Sequence, residues 1–295
     1  MKIPDIDFNQ KRSPIAGIEL IALDELRKRQ ARLDLTHSPS EPHRIMFHAL
    51  IYISQGQGAH FIDFNRYPFQ TGCFIFVNKH QVHAYDFENQ PLGYAIIFTD
   101  EFLDEIRTSI RAPVFKSSHL LTSYFPVMTI NQELKNTSES LLAEIDKEAR
   151  NASCDRLIIQ LLFTSLLLRL SRERPRTFKK DLSEARVKKF MHFIALVEEN
   201  FSVTRDASAY ADRLHMTYKS LNQICKLASS QTAKQLIDAH TILEAKRRLA
   251  IESIQVKQLA YDLGFDEVTN FIKYFKKHVL LTPSQFQNSV HSQTG

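Results

Sequence analysis

Cysteine is scarce in this chain: three residues, Cys73, Cys154 and Cys225, odd in number and widely spaced. That pattern supplies neither a disulfide framework nor a zinc site. The three read as small buried hydrophobes in a reducing compartment. The first residues have no apolar segment of the kind a secretory signal needs. The longest apolar run, LIIQLLFTSLLLRL at 157–170, is too short and too interrupted to span a bilayer. No nucleophile–base pair is readable anywhere, so no catalytic residue is assigned and no enzyme is expected. The expectation is a cytoplasmic protein with no membrane partner.

What is present divides the chain in two. A length of 295 residues suits two domains. The charge is uneven: residues 1–168 carry 17 basic and 20 acidic side chains, residues 169–180 carry 6 and 1, and residues 181–295 carry 15 and 12. The basic balance thus falls late, as contact with a polyanion requires. The stretch SRERPRTFKKDL at 171–182 is polar, basic and contains Pro175, so it marks a boundary.

The C-terminal part shows one pattern twice. In VKQLAYDLGFDEVTNFIKYFKKHVLLTP (256–283), Val256, Leu259, Ala260 and Leu263 recur at helical spacing, and Gly264 ends that helix. Val268, Phe271, Ile272, Phe275 and Val279 then form one apolar stripe, opposite Asn270, Lys273 and Lys277, with Thr269 beside the first turn. A short helix, a tight turn and a helix with a polar outer face make a helix-turn-helix. In ASAYADRLHMTYKSLNQICKLA (207–228), His215-Met216 is the turn and Thr217 a natural N-cap. Leu221, Ile224, Cys225 and Ala228 point inward; Lys219, Asn222, Gln223 and Lys226 point outward. Asn and Gln pair bidentately with adenine, and Lys reaches guanine or phosphate. A continuous helical segment, 233–251, joins the two units.

Residues 184–287 resemble the DNA-binding domain of the AraC/XylS family of bacterial transcription regulators. The resemblance is carried by Leu259-Ala260, Gly264-Phe265, Phe271, Phe275-Lys276-Lys277, Thr282-Pro283, Ala245-Lys246 and Leu249. It implies seven helices, two helix-turn-helix units on a linker helix, with double-stranded promoter DNA and RNA polymerase as partners. The chain departs from the family pattern where Thr217 and Thr269 replace Ser, Gln223 and Lys273 replace Arg, Ser230 and Leu280 replace Gly, Ala233 replaces Pro and Thr241 replaces Arg. Lys219, Asn222, Gln223, Thr269, Asn270 and Lys273 are expected at base edges, Lys226, Lys276 and the Lys246-Arg247-Arg248 cluster at phosphates, and Thr217 among the DNA-binding residues as well. Val187, Phe190, Ile194, Val197, Leu221, Leu243, Phe271 and Phe275 are expected to form the core.

The N-terminal half changes period. HALIYIS, AHFIDF, GCFIFV and VHAYDF alternate in short runs, separated by QGQG, NRY and NKHQ, as antiparallel strands do. These strands, from PHRIMFHALIYISQGQG onward, resemble the cupin-like effector domain of the same family. Cupins also serve as metal enzymes, but the ligand positions of their motifs fall on His43, Ile45, Ala49 and His83, leaving two of four ligands and no carboxylate. No metal and no cofactor are expected. By the resemblance, His43, Arg44, His60, His83 and Tyr85 line a pocket for a small-molecule effector. Two helical segments follow in 132–171, and the second is apolar nearly all round, which suits a homodimer contact.

The expected fold is α+β, with three segments. Residues 1–171 form a cupin-like antiparallel β-barrel with a helical dimerisation segment. Residues 172–183 are a basic linker, and residues 184–290 an all-α seven-helix double helix-turn-helix domain. The expected function is sequence-specific DNA-binding transcription regulation, as an activator. A metal-dependent cupin enzyme fused to a DNA-binding tail and a non-sensing architectural DNA-binding protein are the competing readings.

Overall fold

The computed structural model describes residues 3–9, 15–31, 38–110, 126–173, 183–251 and 254–292. The chain divides into two compact units, residues 4–177 and residues 178–295 with residues 1–3. Residues 174–182, most of the expected basic linker, lie outside the described residues.

The first unit contains two five-stranded sheets rather than one closed barrel. One runs β1 (Asp5–Ile6), β3 (His43–Ile45), β8 (Val82–Ala84), β5 (Gln57–Ile62), β6 (Asn65–Gln70); the other runs β10 (Val127–Thr129), β7 (Cys73–Val77), β4 (His48–Gln55), β9 (Leu92–Phe98), β2 (Ile18–Ala22). All neighbours are antiparallel except β1 and β3. Ile45, Ile62 and Phe69 of the first sheet meet Ala49, Ile51, Ile53, Ile75, Val77 and Ala95 of the second in one apolar layer. The second sheet turns Leu50, Tyr52, Phe74, Ile96 and Phe98 the other way, onto a helical layer.

That helical layer is α2 (Asp100–Ile110), α3 (Gln132–Ala149) and α4 (Arg156–Glu173), while α1 (Leu23–Ala31) follows β2. Phe163 of α4 lies 5.0 Å from the Phe98 ring and 6.0 Å from Phe102. Strand β4 is therefore covered on both faces, so HALIYIS is apolar at nearly every position rather than on alternate ones. The segment NRY, expected as a turn, instead begins β6. The turn is Asp63-Phe64, both at positive φ (48° and 67°). Asp63 holds it by accepting from Gln81 Nε2 at 2.6 Å and the Val82 N–H at 3.2 Å.

Helix α4 continues through Glu173, past the boundary expected at 171. Its inner side buries Ile159, Phe163, Leu166 and Leu170, while Leu157, Ile158 and Leu161 are exposed. No helix among the described residues is long and apolar enough to cross a membrane.

The second unit has seven helices among its described residues. They are α5 (Glu184–Asn200), α6 (Ala207–Arg213), α7 (Tyr218–Ser229), α8 (Ala233–Ile251), α9 (Val256–Asp262), α10 (Val268–Val279) and α11 (Pro283–Ser292). Phe190, Ile194, Val197, Leu221, Phe271 and Phe275 are buried as expected, whereas Val187 and Leu243 are only half-buried. Ser230 and Leu280, which stand where the family pattern has glycine, keep the left-handed cap conformation (φ 61° and 65°). Their N–H groups donate to Lys226 and Lys276 carbonyls, so the caps survive at the cost of Cβ crowding. Ser230→Gly and Leu280→Gly should each raise stability by about 1 kcal/mol, read as the shift of the urea midpoint; no shift would show that the crowding is relieved locally.

Candidate nucleic-acid interface

Helices α7 and α10 carry the polar faces singled out in the sequence. In α7, Thr217 is the N-cap: its Oγ1 accepts from the Ser220 N–H at 3.1 Å. Leu221, Ile224, Cys225 and Ala228 are buried beneath it. Thr217, Lys219, Gln223 and Lys226 are exposed. Asn222 is half-buried and already engaged, because its Oδ1 accepts the Ala233 N–H at 2.9 Å. It thereby satisfies an orphan donor at the start of α8, where the family pattern's proline would need no partner. The sequence placed Asn222 at base edges; the structure gives its acceptor to the fold.

In α10, Thr269, Asn270, Lys273, Lys276 and Lys277 are all exposed, while Phe271 and Phe275 are buried. The N-cap here is Glu267, not Thr269. Thr269 instead donates its hydroxyl to Glu267 Oε2 at 3.2 Å. Two exposed neighbours escaped the sequence reading: Glu267 beside Thr269, and Tyr218 beside Lys219. Each lies next to a predicted contact, which was the available signal. The Lys246-Arg247-Arg248 cluster is turned to internal work. Arg248 and Arg247 pair with Glu244 at 2.8 and 3.7 Å, and Lys246 lies 5.7 Å from the Phe286 ring.

The turn between α9 and α10 is clamped to the first half of the unit. Gly264 has φ +73°, and its Cα approaches the Ser202 carbonyl so closely that a Cβ would collide with it. Arg205 donates to the carbonyls of Leu263 at 2.8 Å and Gly264 at 2.9 Å, and its guanidinium covers the Phe265 ring at 3.8 Å. Helix α10 is tied to α8 as well, since the Tyr274 hydroxyl donates to Asp238 at 2.8 Å. Asp238 also pairs with Lys234.

Of the five pocket candidates of the first unit, three are packed together, Tyr85 lies against them and Arg44 stands apart. His43, His60 and His83 are buried against one another: the rings of His43 and His83 lie 4.4 Å apart, and His60 Nε2 lies 3.1 Å from His83 Nδ1. By strand register they point between the sheets. Arg44 points to the opposite face, where a bidentate pair with Asp5 at 2.7 Å uses its fork. Tyr85 packs edge-on to His60 and borders a cleft of about 640 Å³, whose lining does not include the other four. No group of three His, Cys, Asp or Glu among the described residues could hold a metal ion. Burial, then the neighbouring His43, pushes His60 down to about 3, so its imidazole is neutral.

Comparison with known proteins agrees in both halves. A family model described as an AraC-like ligand binding domain matches residues 31–167, and one described as a helix-turn-helix domain matches residues 210–289. The chain is 20% identical over 251 residues to the HTH-type transcriptional activator RhaR of Mannheimia succiniciproducens, covering 85% of this chain and 88% of the relative. It is 23% identical over 254 residues to the HTH-type transcriptional activator RhaS of Pectobacterium carotovorum, covering 84% and 87%. Among solved structures, ToxT from Vibrio cholerae aligns over 94% of this chain and 99% of its own at 13% identity and a TM-score of 0.41.

Two outcomes follow from this geometry. His60 has a folded-state value below its ordinary 6.5, so the unfolded chain binds the proton first. Stability is complete above pH 6.5 and falls as pH drops toward 3, by about 1.4 kcal/mol per unit. Urea midpoints at pH 7 and pH 5 should therefore differ, and His60→Gln should narrow that difference; an unchanged gap would exclude His60 as its source. Second, Asn222→Ala should lower the melting temperature and weaken cognate and random DNA alike, with about 1 kcal/mol lost at the cap. Gln223→Ala should cost roughly 1–3 kcal/mol on the cognate site alone. Fluorescence anisotropy with both DNAs distinguishes them, and the reverse pattern would return Asn222 to base readout.

Proposed function

The chain belongs to the AraC/XylS family of transcription regulators, and we propose that it activates transcription by presenting α7 and α10 to successive major grooves of promoter DNA. The observation that carries this is the pair of exposed polar faces on one clamped unit. Lys219 and Gln223 in α7, with Thr269, Asn270 and Lys273 in α10, are exposed and are the proposed contacts to base edges. Thr217, Lys226 and Lys276 flank them as backbone contacts, with Asn222 in support. The grooves entered would be one helical turn, about 34 Å, apart. RhaR and RhaS are named as activators, which favours activation through RNA polymerase over repression. Their character as regulators also supports a non-enzymatic, cytoplasmic protein.

Residues 1–171 are proposed as the effector and dimerisation unit, residues 172–183 as the basic tether and residues 184–290 as the DNA-binding unit. A homodimer is supported by the outer side of α4, where Leu157 (53% exposed), Ile158 (43%) and Leu161 (52%) leave an apolar stripe in water. A second copy of α4 would cover it with like residues.

Selection of genomic fragments by the purified protein, followed by footprinting, tests the regulator reading; recovery of no preferred sequence would defeat it. On the selected site, Lys226→Ala and Lys276→Ala should each weaken binding to all sequences and lower the salt slope by about one. For the dimer, Leu161→Glu should shift the protein from dimer to monomer in sedimentation velocity and weaken binding to paired sites. A wild-type monomer at working concentration would remove the dimer from the proposal.

A further inference from the structure

The outer face of the β1-β3-β8-β5-β6 sheet carries a cleft distinct from the space between the sheets. Register defines that face. Phe61 is paired with both Arg66 and Ala84, while the alternating neighbours His60 and Ile62 point inward with His83. Arg27 of α1 and Phe87 complete the walls of the cleft of about 640 Å³. That volume is within the range of about 300–1,000 Å³ that small-molecule sites occupy.

Its chemistry is asymmetric. Two guanidiniums border it, and neither Arg27 nor Arg66 makes a hydrogen bond or ion pair among the described residues; Arg27 Nη1 is buried with no partner. Leaving a buried guanidinium donor unsatisfied is costly, and a ligand acceptor would remove that cost. Both acids on α1 are paired elsewhere, Asp24 with Lys28 at 3.0 Å and Glu25 with Arg29 at 3.4 Å. Of the two acids at the cleft, Asp86 is spent on backbone amides, accepting from Ala59 at 3.0 Å and Glu88 at 3.0 Å. Glu88 is exposed at the rim. The apolar walls are flat: Phe87 stacks on Tyr85 with centroids 5.3 Å apart and planes 9° from parallel.

We propose that this cleft binds an organic anion with a flat apolar body, its carboxylate or equivalent group taken by Arg27 and Arg66 and its body laid on Phe61 and Phe87. The anion supplies the acceptors the guanidiniums lack, and the planar fork suits a two-oxygen group. This binding stands apart from the transcriptional reading; a role for the bound anion as effector rests on that reading. Any such effect on DNA affinity would require the anion to favour one arrangement of the chain over another.

The test is calorimetric titration of the full-length protein, without DNA, with 2-naphthoate and with its uncharged amide as probes. Saturable one-to-one binding of 2-naphthoate is expected, with the amide bound at least about tenfold more weakly. Arg27→Gln and Arg66→Gln should each weaken 2-naphthoate about tenfold, and Glu88→Gln should tighten it by removing the repelling acid. Arg172→Gln, on α4, should bind as the wild type does. Arg66 is exposed, so its variant keeps the test independent of folding if Arg27→Gln is unstable. Equal binding of the two probes, binding unaffected by both arginine variants, or no binding of 2-naphthoate overturns the proposal. Retention of sequence-specific DNA binding by those variants, measured separately, keeps a failure of the cleft distinct from a failure of the regulator.

Discussion

The contact between Gly264 and the Ser202 carbonyl is the constraint on which the arrangement of the helical unit depends. Only a residue without Cβ can turn there with φ +73° while its backbone lies against a second segment. Because that segment precedes α6, the turn of the second helix-turn-helix is registered on the start of the first. Arg205 reinforces the registration by satisfying the Leu263 and Gly264 carbonyls that the end of α9 leaves open. The two polar faces are thus parts of one body, which is what reading two grooves at a fixed separation demands. The tether from Asp238 to Tyr274 acts on the same geometry from the side of α8.

The first unit solves a different problem. Its second sheet is covered on one face by the first sheet and on the other by α2, α3 and α4. Among the described residues, this leaves the outward side of α4 as an apolar surface in water, and the outer face of the first sheet as the place where Arg27 and Arg66 border one cleft. The interior, by contrast, holds aliphatic side chains and three histidines packed against one another. Desolvation holds His60 neutral, so that side chain contributes packing rather than charge.

Much of the architecture was legible in the sequence, because periodicity reports burial locally. The alternation of Leu221, Ile224, Cys225 and Ala228 against Lys219, Gln223 and Lys226 needs only one helix to be read, and the structure places each residue on the expected side. The same holds for Phe271 and Phe275 against Lys273 and Lys276. The turn at Asp63-Phe64 was not legible, since it is held through the Asp63 carboxylate by Gln81 and Val82 from a distant part of the chain. Asn222 looked like a base reader because its partner, the Ala233 N–H, depends on how the chain folds back after α7.

The sequence alone determined the division into a stranded half and a helical half, the two exposed polar helix faces and the family resemblance, since these depend on side-chain period and spacing along the chain. Tertiary structure decided which polar groups remain available. Arg44, Arg247 and Arg248 read as free cations in the sequence, whereas Asp5 and Glu244 lie beside them in the fold, and the histidines lie inward against one another. Arg27 and Arg66, far apart in the sequence and unremarked there, became neighbours at one cleft. Hydrogen bonding saturates over a few ångströms, so the availability of a charged group is a property of what folds against it.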